Sequence, residues 1–384
     1  MYSLLSDKCT KSNTKMRIRS DLKRVPVKKI TDIFYMKYNR FGNLFQSKVD
    51  SDKCTGGISE STYKCPGGKE MAVKVMGITA GRKDSNSEIL LKEALMYCEE
   101  AGADVTMINL KDYHIESCTG CTSCTRGMAQ GKHTGCVLDE KDDKKKIMEV
   151  MLDQDAVIFS APTYDLMPNA EYLIFAQRSL SYETAFLETI GAIDHKDRVA
   201  GLICAGGSTR AWQSMALEAM QATMFTTDMK VVDMILATRV PGRAQCLLDD
   251  ALMARARKMG EHIMKAAATP PGERGWLGDE DMGWCPNCHS NALVLGEPQW
   301  DGLHYPVECQ VCGAGGDLER TGDGKWRFVI QKDGYLKDRT TVAGRAKHLE
   351  EIGHTEGGFY AEPKNLKAVQ ERVRKYKNKQ FKGI

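Results

Sequence analysis

From Met71 onward, apolar and polar positions alternate in two rhythms. Ala72–Thr79 (AVKVMGIT), Asp104–Leu110, Ala156–Ala161 (AVIFSA), Val199–Ala205 (VAGLICA) and Val231–Leu236 are short apolar runs bounded by turn residues, which predict buried strands. Between them the spacing becomes helical. Asn86–Ala101 places Ile89, Leu90, Ala94, Leu95 and Cys98 on one face, and Lys141–Leu152, Ala170–Leu180 and Trp212–Phe225 follow. Leu247–Ala268 is a long closing helix. Strands alternating with helices in this way predict an α/β fold: a doubly wound, five-stranded parallel sheet covered on both faces.

This pattern occupies residues 71–269, and different material lies on either side. Residues 1–70 show no clean periodicity and carry 15 Lys+Arg against 7 Asp+Glu, although the whole chain has a net charge of only +3. The segment reads as a basic, disordered extension or as translated leader. Gly67-Gly68-Lys69-Glu70-Met71 is a peptide that a bacterial ribosome-binding site followed by a start codon would encode, which makes Met71 a candidate start. Pro270-Pro271-Gly272 breaks the last helix and opens a linker. A Cys- and Gly-rich module follows at 283–333, then a polar, helix-prone, basic tail at 334–384. No apolar run is long enough to span a membrane, and the first residues lack the apolar stretch of a secretory signal, so the expected location is cytoplasmic. The basic runs read as solvated tails and the body is slightly acidic, so nucleic acid is not an expected partner.

In a doubly wound sheet, ligands bind outside the C-terminal ends of the strands. Thr79-Ala80-Gly81-Arg82-Lys83-Asp84-Ser85-Asn86-Ser87 joins the first strand to its helix. It offers helix N-terminal N–H groups, hydroxyls and a guanidinium, all of which stabilise a phosphate. It is neither GxxxxGK[ST] nor GxGxxG. Ala161-Pro162-Thr163-Tyr164-Asp165-Leu166-Met167-Pro168-Asn169 follows the third strand, and Ala205-Gly206-Gly207-Ser208-Thr209 follows the fourth. These loops resemble those of the FMN-reductase branch of the flavodoxin-like fold, whose strand order is 2-1-3-4-5, and the resemblance covers about Met71–Ala268. It implies that Arg82, Ser85, Asn86 and Ser87 hold the FMN phosphate. It also implies that Pro162, Thr163, Tyr164 and Asp165 lie along the isoalloxazine, with Gly206 and Gly207 near the ring. Ala80 and Gly81 depart from the family's usual Ser-Pro.

Fourteen cysteines are many for 384 residues. Without a secretion signal, closely spaced pairs read as metal ligands rather than disulfides. Cys118, Cys121, Cys124 and Cys136 are spaced C-x2-C-x2-C-x11-C. Three thiolates in so compact a run suit a 4Fe-4S cluster, with zinc-bound or purely structural cysteines as the alternative. The group's place after the second strand resembles that in the iron-sulfur flavoproteins, whose last spacing is usually shorter. Cys285, Cys288, Cys309 and Cys312 are spaced C-x2-C-x20-C-x2-C, two knuckles that form a tetrahedral four-thiolate site. This module resembles a zinc ribbon; a rubredoxin-like iron site is the alternative. Cys98, Cys204 and Cys246 stand in apolar contexts and are expected to be buried free thiols.

These features together predict a flavin-dependent oxidoreductase, an iron-sulfur flavoprotein passing electrons from a ferredoxin-type donor through a 4Fe-4S cluster and FMN to an acceptor. The first alternative is an NAD(P)H-dependent reductase of FMN, quinones or nitro compounds without a cluster. The second is a non-enzymatic zinc-ribbon binding module. A homo-oligomer is implied by the family resemblance alone. Paired carboxylates, a Ser-His-Asp order and HExxH are all lacking, so hydrolysis has no candidate residues.

Overall fold

A computed structural model of the chain describes residues 63–64, 70–129, 131–345, 347–348, 351, 354, 362–381 and 383. The proposed leader therefore lies almost wholly outside the described residues. Five parallel strands form the main sheet: β1 Lys74–Thr79, β2 Asp104–Asn109, β3 Ala156–Tyr164, β4 Arg198–Ala205 and β5 Met229–Ala237, in the order β2-β1-β3-β4-β5. This is the flavodoxin-like order 2-1-3-4-5. Each strand falls where the sequence predicts one; the central strands are buried on both faces of the pleat, while β2, at the sheet edge, is partly exposed. Val75, Ala156 and Ile158 face one side, and Met76, Val157 and Phe159 face the other, as a period of two requires.

Helices α1 Asn86–Glu100 and α5 Asp250–Ala268 cover the first side, with Leu90, Leu91, Met259 and Ile263 in the core. Helices α2 Lys144–Leu152, α3 Ala170–Gln177 and α4 Ala216–Ala222 cover the second, with Met148, Tyr172 and Met220 buried. The helix expected over Trp212–Phe225 is broken into a 3-10 turn at Arg210–Gln213, α4, and a second 3-10 turn at Phe225–Thr227. The Met215 N–H bonds to Leu166 O, 3.2 Å away, instead of continuing a helical ladder. That bond pins the start of α4 to the turn after β3.

The Cys-rich module forms a second, antiparallel sheet of β6 Leu293–Leu295, β7 Val307–Cys309, β8 Gly315–Arg320 and β9 Trp326–Ile330, in the order β9-β8-β7-β6. Its core is small: the four cysteines with Val307, Val311, Ala314 and Phe328. So few apolar side chains cannot offset the ordering of some fifty residues, and a bound metal is the usual remedy. The module is docked on the sheet domain. Leu277 N bonds to Val232 O at 2.9 Å, Asn291 N bonds to the Glu218 carboxylate at 3.2 Å, and Phe225 packs against the module's core. Residues after 333 extend this docking, with Arg339 N bonded to Cys312 O and the Arg345 guanidinium paired with Glu183 and Asp228. A final helix, α6 Pro363–Lys377, buries none of its residues. No helix among the described residues is long and apolar enough to cross a membrane.

Candidate active site

The loop after β1 ends on α1, and Ser85 caps that helix by accepting the Glu88 N–H at 3.3 Å. The Ser85 and Ser87 hydroxyls lie 3.1 Å apart. A Cβ at Gly81 would meet both hydroxyl oxygens, so a larger residue there would have to turn the two hydroxyls aside. Among the described residues, the first-turn N–H groups of Asn86 and Ser87 donate to no protein acceptor. These orphan donors at the positive end of a fifteen-residue helix fit a phosphate. The Arg82 side chain is exposed at the loop's outer edge.

Asn86 sits differently from its neighbours. Its amide donates to Val240 O and Gly242 O, both at 2.8 Å, and its carbonyl accepts the Cys246 N–H at 2.9 Å. The side chain thus braces the loop after β5 against the phosphate loop. Two further asparagines hold the loop from below: Asn109 donates to Gly81 O at 2.9 Å and Asn169 to Ala80 O at 2.8 Å. Both stand at element ends, where Asn is a favoured cap, and that is the sequence signal that could have pointed to them.

After β3, Thr163 and Tyr164 pair with Met167 and Pro168 in a two-residue hairpin. Its corner residues, Asp165 and Leu166, have φ of 50° and 75°. Leu in the left-handed region costs about 1–3 kcal/mol, the kind of strain that concentrates at ligand sites. The hairpin lifts Tyr164 into solvent, 56% exposed. Pro162 pairs with Ala205 across β3 and β4, which places this hairpin directly beside the glycine loop. Gln213 joins the two. Its Oε1 accepts from the Thr163 hydroxyl at 2.7 Å, and its Nε2 donates to Ser208 O and Ala237 O at 3.2 and 3.3 Å. It is 1% exposed and abuts Gly206. Nothing in the local sequence marks it, since its partners come from three separate segments: the end of β3, the glycine loop and the end of β5. Behind Thr163, burial pushes the Cys204 thiol up to about 12, so this cysteine is an inert core residue. Cys98 and Cys246 are buried free thiols as well.

The two cysteine groups differ in geometry. Cys118 and Cys121 are exposed, and Cys124 and Cys136 half-buried. The Cys124 thiol is pushed up chiefly by burial, with Cys136 and Cys121 near enough to add to the effect. Arg178, 2% exposed, is paired with Asp142 and reaches Cys136. In the second group all four sulfurs lie within 4.8 Å of one another, the only such set of metal-ligand side chains among the described residues. Cys285 and Cys312, like Cys288 and Cys309, have Sγ atoms 3.6 Å apart. Zn–S bonds of about 2.3 Å in a tetrahedron put sulfurs about 3.8 Å apart, so the four thiols fit one tetrahedral ion. So closely packed, the four thiols perturb one another, Cys285 and Cys309 being held below the ordinary range and Cys288 and Cys312 above it by their mutual hydrogen bonds. The residue after each knuckle's second cysteine is left-handed: Gly313 at φ 80° and His289 at φ 57°. His289 is no ligand; its ring stacks on Trp276 with centroids 4.0 Å apart.

Residues 73–239, which include all three loops, match the family model of NADPH-dependent FMN reductases. The match lies within the sheet domain. The chain is a flavin-dependent oxidoreductase, and FMN is the flavin of the family that this domain matches. Flavone synthase cfoJ of Aspergillus candidus is 26% identical to this reductase over 322 residues, covering 77% of this chain and 93% of that protein. A solved structure named flavone reductase superposes with a TM-score of 0.62 at 25% identity, covering 81% of this chain and 100% of that one. Iron-sulfur flavoprotein MJ1083 of Methanocaldococcus jannaschii is 25% identical over 201 residues, covering 50% of this chain and 95% of that protein.

Proposed function

We propose that the chain is an NAD(P)H-dependent reductase that binds FMN across the three loops and reduces a flat, conjugated ketone of the flavone class. The observation that carries this reading is the extent of the likeness. The two relatives, one named for making flavone and one for reducing it, match about four fifths of the chain, more than the sheet domain can supply, so the likeness extends into the Cys-rich region as well. When bound, FMN would supply the hydride chemistry that links reduced nicotinamide to the acceptor's conjugated double bond, the accompanying proton coming from water. Arg82, the Ser85 and Ser87 hydroxyls and the first-turn N–H groups of α1 would hold its phosphate. Asn86 keeps that cradle in shape rather than touching the phosphate with its side chain. Pro162, Thr163, Tyr164 and Asp165 would form the wall along the ring, and the Gly206-Gly207 backbone would approach its edge. Four buried thiols at 285, 288, 309 and 312 would hold structural zinc.

A second reading gives Cys118, Cys121, Cys124 and Cys136 a 4Fe-4S cluster that accepts electrons from a ferredoxin-type donor. The compact C-x2-C-x2-C run supports it, as do the curated relatives named iron-sulfur flavoproteins. Metal and flavin analysis after anaerobic purification separates the two. The first reading expects FMN, one zinc, and NADPH consumption that survives Cys121→Ala. Iron in stoichiometric amount, with NADPH turnover absent, would replace it by the second.

A further inference from the structure

Four large apolar side chains at the C-terminal edge of the main sheet face solvent. Tyr164 and Met167 stand on the hairpin after β3, and Trp212 and Met215 on the turn that leads from the glycine loop into α4. Trp212 is the most open of them, at 67%. An aromatic side chain left in water forgoes the burial of about 150–250 Å². The backbone beneath the indole is held. Trp212 N bonds to Thr209 O at 3.0 Å, and the next residue, Gln213, is buried. The turn therefore commits Gln213 to the interior and leaves Trp212 on the surface.

The two segments are tied to each other. The Thr163 hydroxyl bonds to Gln213 Oε1 at 2.7 Å, and Met215 N bonds to Leu166 O at 3.2 Å. Tyr164 and Trp212 are the chain neighbours of the two partners in the first bond, so these ties gather the four side chains into one patch. The patch is continuous with the loops assigned to the flavin ring, because Thr163 and Tyr164 belong to them and Gln213 abuts Gly206. It is also small. Asp165, Ser208, Thr209 and Ser214, all exposed and polar, interrupt it. A stable protein interface takes about 20–30 residues a side, far more than this patch offers. An apolar patch with a polar rim beside a cofactor site suits a small ligand instead. Aromatic faces and thioethers hold flat conjugated rings by stacking and by sulfur–aromatic contact.

We propose that Trp212 is the specificity residue for the electron acceptor: its indole stacks on the acceptor's flat conjugated rings, and Tyr164 with the thioethers of Met167 and Met215 completes the seat. The proposal rests on the reading of the chain as a reductase of flavone-type ketones, and it adds which surface recognises the ketone and which side chain dominates. None of the four side chains carries a charge, so the seat selects for ring area.

The test is calorimetric titration of the oxidised, FMN-loaded protein with flavone. Trp212→Ala should weaken flavone binding about tenfold or more, the worth of an aromatic stacking partner and the area it covers. Trp212→Phe keeps an aromatic face and should recover most of that loss. Trp326→Ala removes a comparably exposed indole from β9 of the Cys-rich module and should bind flavone like wild type. Exposed positions bear such substitutions without cost to the core. Sedimentation and a titration with NADP+ accompany each sample, and neither the mass nor the NADP+ affinity should change. Flavone binding by Trp212→Ala equal to that of wild type overturns the proposal and leaves the reductase reading standing. A Trp212→Ala protein that loses subunits, or that loses NADP+ affinity while keeping flavone, gives the patch to a second copy or to the nicotinamide and overturns it too. A wild type that binds FMN and not flavone refutes the acceptor class, and one that fails to bind FMN refutes the functional reading itself.

Discussion

Replacing Asn86 separates support of the flavin cradle from contact with the flavin. Asn86→Ala leaves Val240 O, Gly242 O and the Cys246 N–H without their side-chain partner in a site where Asn86 is only 9% exposed. At about 1 kcal/mol net per hydrogen bond, the loss is about 3 kcal/mol. For a domain of this size each kcal/mol moves the melting temperature by about 2–4 °C, so the apoprotein should melt about 6–12 °C lower. Asn86→Asp should fare no better, because it keeps the acceptor for Cys246 N but turns a carboxylate toward two carbonyls. The assay is a thermal melt of the flavin-free protein, read beside an FMN titration at a temperature where the variant is folded. Arg82→Ala is the counterpart: its exposed side chain contributes little to folding, so it should melt like wild type. An Asn86→Ala apoprotein that melts normally yet binds FMN poorly would refute the brace and put the amide on the cofactor.

Other outcomes follow from the same structure. Arg82→Ala should weaken FMN binding by about 1–3 kcal/mol, the scale of a charge-assisted hydrogen bond, in a fluorescence titration. Cys288→Ser should release the metal and loosen the module while FMN stays bound, seen by metal analysis and a flavin spectrum on one sample; joint loss of both would show that the two modules fold as one unit. Burial pushes the Glu183 carboxyl up to about 7, against which Arg345 pulls it down. The folded chain then keeps a proton that the unfolded chain releases above about 4.5, so this stabilisation is full in acid and is lost as pH rises through about 7. Its ceiling is about 3 kcal/mol, and chemical denaturation across that window should show the slope flattened in Glu183→Gln.

Much of this architecture was legible in the residue pattern because burial on both faces writes itself as unbroken apolar runs. The central strands read that way, whereas the edge strand β2 mixes polar and apolar positions and buries none of its residues fully; the four-thiolate site read from spacing alone, since two knuckles need little beyond their own residues to form. Side chains that act across the fold were not legible. Gln213 joins the ends of β3 and β5 to the glycine loop, and Gln221 reaches from α4 to the first cysteine knuckle, yet neither stands in a local motif. Asn86 looked like part of a phosphate signature, and only the approach of the loop after β5 shows where its amide is directed. The expected helix over Trp212–Phe225 failed at Met215 for the same reason, since a distant carbonyl takes its N–H.

The most direct test of the central claim is an anaerobic redox cycle of the FMN-loaded protein followed by its visible flavin absorbance. Stoichiometric NADPH should bleach the band, and one equivalent of a flavone-type ketone should then restore it with formation of the reduced ketone. A band that NADPH leaves unbleached, or that the ketone fails to restore, would contradict the account.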